Sequence, residues 1–301
     1  MSSLADLPAP YKGLEAFTEN DSDLLFGRSE ESDRLVYSLQ SSRLTILYGA
    51  RQVGKTSLLR AGGTNQLRRN PDSCVVLFDD WSGPDVVKNL SIAIDKELER
   101  TGVERQKMPE FQKQTFVQNC ESWAKCLGEE EGELFILLDQ FDDYLMLNPR
   151  ANTGQGTFDR EFARAVSTRR LPVNFLIAIR DDLLASLDRY RSTVGGLYSN
   201  LIRLEALTRE QAREAIQNPV YVAYNSKHQD KKIGIEAELL RAVLNSVSFG
   251  SDDDSRSSTG EARRVGRGGL EPIDAEAGAD RADQPSASVV SLASARCRSR
   301  E

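Results

Sequence analysis

Residues 49–56, Gly49-Ala50-Arg51-Gln52-Val53-Gly54-Lys55-Thr56, have the spacing G-x-x-x-x-G-K-[ST]. Each residue type suits the binding of a polyphosphate. Gly49 and Gly54 permit backbone torsions that turn successive N–H groups inward, toward an anion. A helix that begins near Lys55 adds the positive end of its dipole. Lys55 brings a point charge to the β- and γ-phosphates. The Thr56 hydroxyl is a ligand for Mg2+, an ion that keeps most of its waters. Ser57, in the same first turn, joins Ala50, Arg51, Gln52 and Val53 among the residues expected to face the nucleotide. The bland alternative is an ordinary Gly-rich turn; an apolar run before the loop and a helical pattern after it weigh against that.

A phosphate loop of this kind needs an acid at the end of a neighbouring strand. The stretch ELFILLDQFDDYL, residues 133–145, supplies one. Asp139 follows its apolar run, at the carboxyl edge where ligands bind in such sheets, and would hold Mg2+ through water. Gln140, Asp142 and Asp143 come next. One of them could orient an attacking water, or the three could form a solvated acidic turn. In NFLIAIRDDLL, residues 174–184, Arg180 ends another apolar run. It either senses the γ-phosphate or pairs with Asp181, Asp182 or the nearby acids.

Positioning these groups requires strands that end side by side. Short apolar runs at 44–48, 74–78, 134–138, 173–179 and 201–204 read as strands covered on both faces. Amphipathic stretches at 55–69, 84–100, 109–127 and 157–169 separate them. Strands alternating with helices imply an α/β fold with a five-stranded parallel sheet and helices on both sides. After the last strand, Thr208 is a candidate N-cap with Gln211 completing a capping box, and the chain reads as helical from there to about 248.

Composition narrows the class further. The chain has 301 residues, 39% hydrophobic and 28% charged, with a net charge of −7. That balance argues against general nucleic-acid or anionic-membrane binding, and no apolar run approaches the ~20 residues needed to span a bilayer. The N-terminus lacks the basic start and apolar core of a signal peptide. Cys74, Cys120, Cys126 and Cys297 have neither zinc-site spacing nor the density of a disulfide framework, and read as reduced cytosolic thiols. His228, the lone histidine, lies in a polar run and reads as a surface residue. Residues 250–301 contain no Phe, Tyr, Trp, His, Lys, Asn or Met. Such a segment is expected to be disordered. Its Ala/Arg/Gly/Ser/Asp bias also fits GC-rich DNA read out of frame, the alternative being an ordinary Ser/Arg/Ala-rich linker.

Taken together and in this order, the motifs resemble those of the STAND family, signal-transduction ATPases with numerous domains, and its novel STAND branch most closely. PYKGLEAFTENDSDLLFGRSEE is similar to that branch's leading segment, which ends in a hydrophobic-hydrophobic-Gly-Arg box, here Leu25-Phe26-Gly27-Arg28. GARQVGKTSLLRAG looks like its Walker A, FILLDQFDD like its Walker B, and IAIRDDLL like the strand with the sensor arginine. LEALTREQAREAIQNPV resembles the stretch ending in the lid proline, here Pro219.

The resemblance implies an α/β P-loop NTPase fold followed by a small partial helical lid. The leading segment would occupy 1–28, the NTPase core 29–206, the partial lid 207–249 and the tail 250–301. It implies ATP and Mg2+ as ligands, with Gly27 and Arg28 against the adenine and ribose and Pro219 near the adenine. It further implies slow hydrolysis, self-association in the ATP-bound state, and a cytoplasmic signalling or defence role. Two departures stand out. Asp142 and Asp143 follow the Gln-Phe pair where the family usually has Glu, which is one methylene longer. The nine residues before Pro10 are also expected to leave no room for an effector domain, and no sensor repeats are expected after the partial lid. Two other readings are an ordinary ATPase or kinase with fast turnover, and a nucleotide-free interaction scaffold.

Overall fold

The computed structural model describes residues 11–110, 113–128, 132–227 and 233–247. The apolar runs form five strands: β1 (Leu44–Gly49), β2 (Ser73–Phe78), β3 (Glu133–Leu138), β4 (Val173–Arg180) and β5 (Leu201–Arg203). All neighbours pair in parallel, in the order β2-β3-β4-β1-β5. Successive side chains of a strand point to opposite faces, and each face here is covered. Ile46, Val76, Ile136 and Ile177 pack under the helices Val86–Arg100, Phe116–Leu127 and Phe158–Ser167. Leu47, Val75, Phe135 and Leu176 pack against Leu35 and Leu39 of the helix Ser29–Ser41 and against Leu58, Leu59 and Leu67. Burial on both faces is why these runs are continuously apolar instead of alternating.

The helix that follows the Gly-rich loop runs as Lys55–Ser57, Leu58–Thr64 and Asn65–Leu67, and its middle part is π-helical. The helix expected over 109–127 starts only at Phe116, because Thr115 and Gln118 form a capping box there. The expected box at Thr208 is also formed. Its hydroxyl accepts the Gln211 N–H at 3.2 Å, and the Gln211 side chain accepts the Thr208 N–H at 2.9 Å.

Beyond it lie the helix Arg209–Asn218, its continuations Pro219–Tyr224 and Asn225–Lys227, and the helix Ala237–Asn245. Ala212, Ile216, Val243 and Leu244 form their small core. The stretch 233–236 is not helical, an interruption in a region expected to be helical to about 248. Its polar contacts explain why: the Asn225 amide bonds both the N–H and the carbonyl of Ile233, and the Tyr221 hydroxyl accepts the Ile235 N–H. His228, Cys297 and the tail 250–301 lie outside the described residues. Among the described residues no helix is long and apolar enough to cross a membrane. Cys74, Cys120 and Cys126 are free thiols.

Candidate functional site

β1 ends in the interior of the sheet, and its last residue, Gly49, lies opposite Arg180 at the end of β4. The loop then turns sharply through Gln52 at φ 62° and Gly54 at φ 101°. A Cβ on Gly49 would meet the Leu204 carbonyl oxygen at 2.3 Å, so only glycine fits there. Lys55 Nζ donates to the carbonyls of Gly49 at 2.8 Å and Ala50 at 2.9 Å. Burial lowers its pKa, while the negative charges of Asp142, Asp139 and Asp181 oppose that shift. The loop floors a cleft of about 1070 Å³. Leu24, Leu25 and Phe26 wall it on one side, and Leu207, Ala215 and Val247 come from the helical end of the chain.

Asp139, one residue past β3, is 1% exposed. Its N–H donates to Phe78 O at 2.9 Å, and its Oδ1 accepts the Gln140 N–H at 2.9 Å. Its Oδ2 is buried without a hydrogen-bond partner. Burial pushes the carboxyl above the ordinary carboxylate range; the Thr56 hydroxyl, the Gln140 amide and the Arg60 charge pull the other way. The Thr56 hydroxyl nonetheless closes no hydrogen bond to Oδ2.

A buried carboxylate oxygen without a hydrogen-bond partner, beside a threonine hydroxyl, fits a cation ligand. Among the described residues no group of three or more His, Cys, Asp or Glu could hold a metal by itself. That donor set suits Mg2+, which takes one or two protein ligands and completes its shell with water and phosphate.

Arg180 lines the cleft but is engaged. Its Nε donates to Asp182 Oδ1 at 3.0 Å and its Nη2 to Asp182 Oδ2. Gln140, Asp142 and Asp143 line the same wall, with Gln140 in the left-handed region at φ 51°. Phe141 and Tyr144 of the following short helix, Phe141–Leu147, are buried in an aromatic cluster, which fixes the helix and turns the acids toward the cleft.

The leading segment braces the loop from outside. Arg28 is 7% exposed, and its Nη2 donates to Val53 O at 3.2 Å and Glu205 O at 2.7 Å. Its Nη1 donates to Glu31 Oε1 at 2.7 Å, and the same oxygen accepts from Gln211 Nε2 at 3.1 Å. The Phe17 N–H donates to Ser57 Oγ at 3.2 Å. These bonds join the leading segment, the phosphate loop and the helix Arg209–Asn218.

Residues 10–246 match the family profile described as Novel STAND NTPase 1. The chain belongs to this family. As a novel STAND NTPase it is a nucleotide-binding protein with a P-loop NTPase fold. A search of curated proteins returned no match. Among solved structures, a Walker-type ATPase of Pyrococcus abyssi is 23% identical with a TM-score of 0.45, over 76% of this chain and 64% of its own. Cdc6p from Pyrobaculum aerophilum is 15% identical with a TM-score of 0.42, over 75% of this chain and 58% of its own. The Aeropyrum pernix ORC2 protein, in its ADPNP–ADP complexes, is 12% identical with a TM-score of 0.44, over 74% of this chain and 69% of its own. This chain therefore spans less than two thirds of the first two proteins.

In this novel STAND NTPase, Ala50 to Ser57, Asp139, Gln140, Asp142, Asp143, Arg180 and Arg28 all border one cleft. Three of the residues expected there sit behind its walls. Gly49 ends β1 beneath the loop. Gly27 packs on the helix Arg209–Asn218, and Pro219 is buried within the continuation of that helix, with Ala215 one turn earlier lining the cleft. The sequence reading missed Arg60, which lines the cleft and pairs with Asp79 at 2.8 Å, and it missed Glu31 and Trp81. Spacing on the loop helix could have found Arg60, one turn after Thr56. No local signal marks the other two.

Proposed function

We propose that this NTPase is a nucleotide-state switch that binds ATP and Mg2+ between its α/β core, its leading segment and its helical lid. The observation that carries the reading is the orphaned Asp139 Oδ2 beside Thr56, at the foot of a cleft whose walls come from all three parts. Thr56 and Asp139 would hold Mg2+, which when bound supplies positive charge to the phosphate oxygens. Lys55 leaves the Gly49 and Ala50 carbonyls to bind the β- and γ-phosphates. Arg180 senses the γ-phosphate once it parts from Asp182. Gln140, Asp142 and Asp143 are the candidates to orient water, and the short aspartates make hydrolysis slow. Gly27 and Pro219 act from behind the walls, and Arg28 from the cleft's edge, by fixing the lid against the loop.

Because the ligand would touch loop and lid together, its differential affinity for open and closed arrangements would set the state of the molecule. The closed state is the one expected to self-associate, in a signalling or defence role. The division into a leading segment 1–28, a core 29–206 and a partial lid 207–249 is part of this reading. The test is the mass and nucleotide content of purified protein equilibrated with ATP and with ADP. A larger assembly with ATP supports the switch. Identical mass in both, with turnover above about one per second, indicates an ordinary ATPase. Protein that retains no nucleotide and shows no binding in titration is a scaffold.

A further inference from the structure

The loop 79–85, DDWSGPD, is exposed at every position but one, and that one is Trp81, at 3% exposure. Its ring meets Phe78 and Phe141 edge-on, with centroids 5.0 Å and 5.3 Å away, and Phe158 edge-on at 5.7 Å. Its Nε1–H donates to the backbone carbonyl of Asp139 at 2.8 Å, a fully buried bond. Trp81 itself does not line the cleft.

The bond bears on the carboxylate through one rigid unit. A peptide group is planar, so the Asp139 carbonyl and the Gln140 N–H are two ends of one bar. Trp81 grips the carbonyl end. The other end donates to Asp139 Oδ1 at 2.9 Å. The orientation of this bar therefore sets where one carboxylate oxygen is held, and with it the direction in which the other, Oδ2, is left for a cation. The same bar leads into Gln140 at φ 51°, a conformation that non-glycine residues hold only where the surroundings enforce it. With the indole N–H removed, nothing else among the described hydrogen bonds holds the carbonyl end.

We propose that Trp81 is a positioning residue for the magnesium-holding carboxylate. It acts through the 139–140 peptide and touches neither metal nor nucleotide. The proposal rests on the reading of Asp139 as the acid that holds Mg2+.

The test is equilibrium binding of a fluorescent ATP analogue, titrated with Mg2+ and repeated in EDTA. Trp81→Phe keeps an aromatic ring and loses the N–H. The expected result is a rise of about tenfold in the Mg2+ midpoint, as for other partners that orient a metal ligand, with metal-free affinity within about twofold of wild type. Phe158→Leu disturbs the same aromatic cluster but not the N–H, and is expected to lower thermal stability while leaving the Mg2+ midpoint in place. If Trp81→Phe does not fold, benzothienylalanine at position 81 keeps the indole shape without the N–H and carries the same expectation. A wild-type midpoint in the variant that folds, or an equal shift in Phe158→Leu, overturns the proposal. Asp139→Asn separates the two levels: if it also leaves the midpoint unchanged, the reading of Asp139 fails. If it raises the midpoint and the Trp81 variants do not, Trp81 alone has been misassigned.

Discussion

The backbone carbonyl oxygen of Gln211 lies 2.4 Å from where a Cβ on Gly27 would sit, so the leading segment and the first lid helix meet backbone to backbone. Gly27 also has φ 75°, a region that side chains disfavour. Gly27→Ala is expected to destabilise the protein by about 2 kcal/mol or more, through strain and displacement of the lid helix. Thermal unfolding should show a lower midpoint, and hydrogen exchange should show loss of protection in 209–218. Wild-type values of both would mean that the lid does not depend on this contact.

Lys55→Ala should fold normally, since its two hydrogen bonds go to carbonyls at the cleft. Its loss should instead appear in nucleotide affinity. A charge-assisted contact to phosphate contributes about 1.5–3 kcal/mol, roughly tenfold or more in the dissociation constant. A titration that gives wild-type affinity would move the phosphate site away from this loop.

Asp139→Asn should stabilise the nucleotide-free protein and weaken Mg2+-dependent binding. The native state disfavours the charged form of this carboxyl, because burial raises its pKa. Linkage gives the sign: the penalty is absent below the ordinary carboxylate range, appears as pH rises through the window up to the raised folded value, and is full above it. The variant's advantage at neutral pH should shrink as pH falls through that window. Melting curves across pH check it; an advantage that grows toward acid would contradict the assignment.

Asp182→Ala should release Arg180, which is otherwise chelated by that carboxylate. The preference for ATP over ADP is expected to rise, by about tenfold if Arg180 gains a charge-assisted bond to the terminal phosphate. Arg180→Ala should erase the preference. Parallel titrations with the two nucleotides decide it, and an unchanged ratio in both variants removes Arg180 from the sensor role.

The five strands are legible because burial on both faces leaves an unbroken apolar signature, as in Phe135 to Leu138. The loop is legible because its chemistry is local: eight consecutive residues carry it. What the sequence does not disclose is long-range. Trp81 and Asp139 are 58 positions apart, and nothing in DDWSGPD points to a carbonyl just past another strand's end. Glu31 likewise reads as one acid of a helix's first turn until Gln211 arrives 180 positions later. The helix Phe141–Leu147 was hidden as well, since Gln140 enters it from a left-handed conformation with no capping side chain. Arg180 and its rivals Asp181 and Asp182 were all visible, but which pair forms depends on rotamers that spacing does not encode.

The π-helical turn Leu58–Thr64 has a mechanical consequence. It presents Gly62 and Gly63 to the helix Ser29–Ser41, where a Cβ would come within 2.4 Å of Ser32 Oγ and 2.8 Å of Leu35 Cδ2. Helices in such close register leave no room for a side chain between them, so sliding one past the other would require a clash. The irregular segment 204–208 carries the chain from β5 to the helix Arg209–Asn218. Arg28 grips that segment at the Glu205 carbonyl. One guanidinium therefore ties the phosphate loop, at the Val53 carbonyl, to the only stretch of chain that leads from the sheet to the helix Arg209–Asn218.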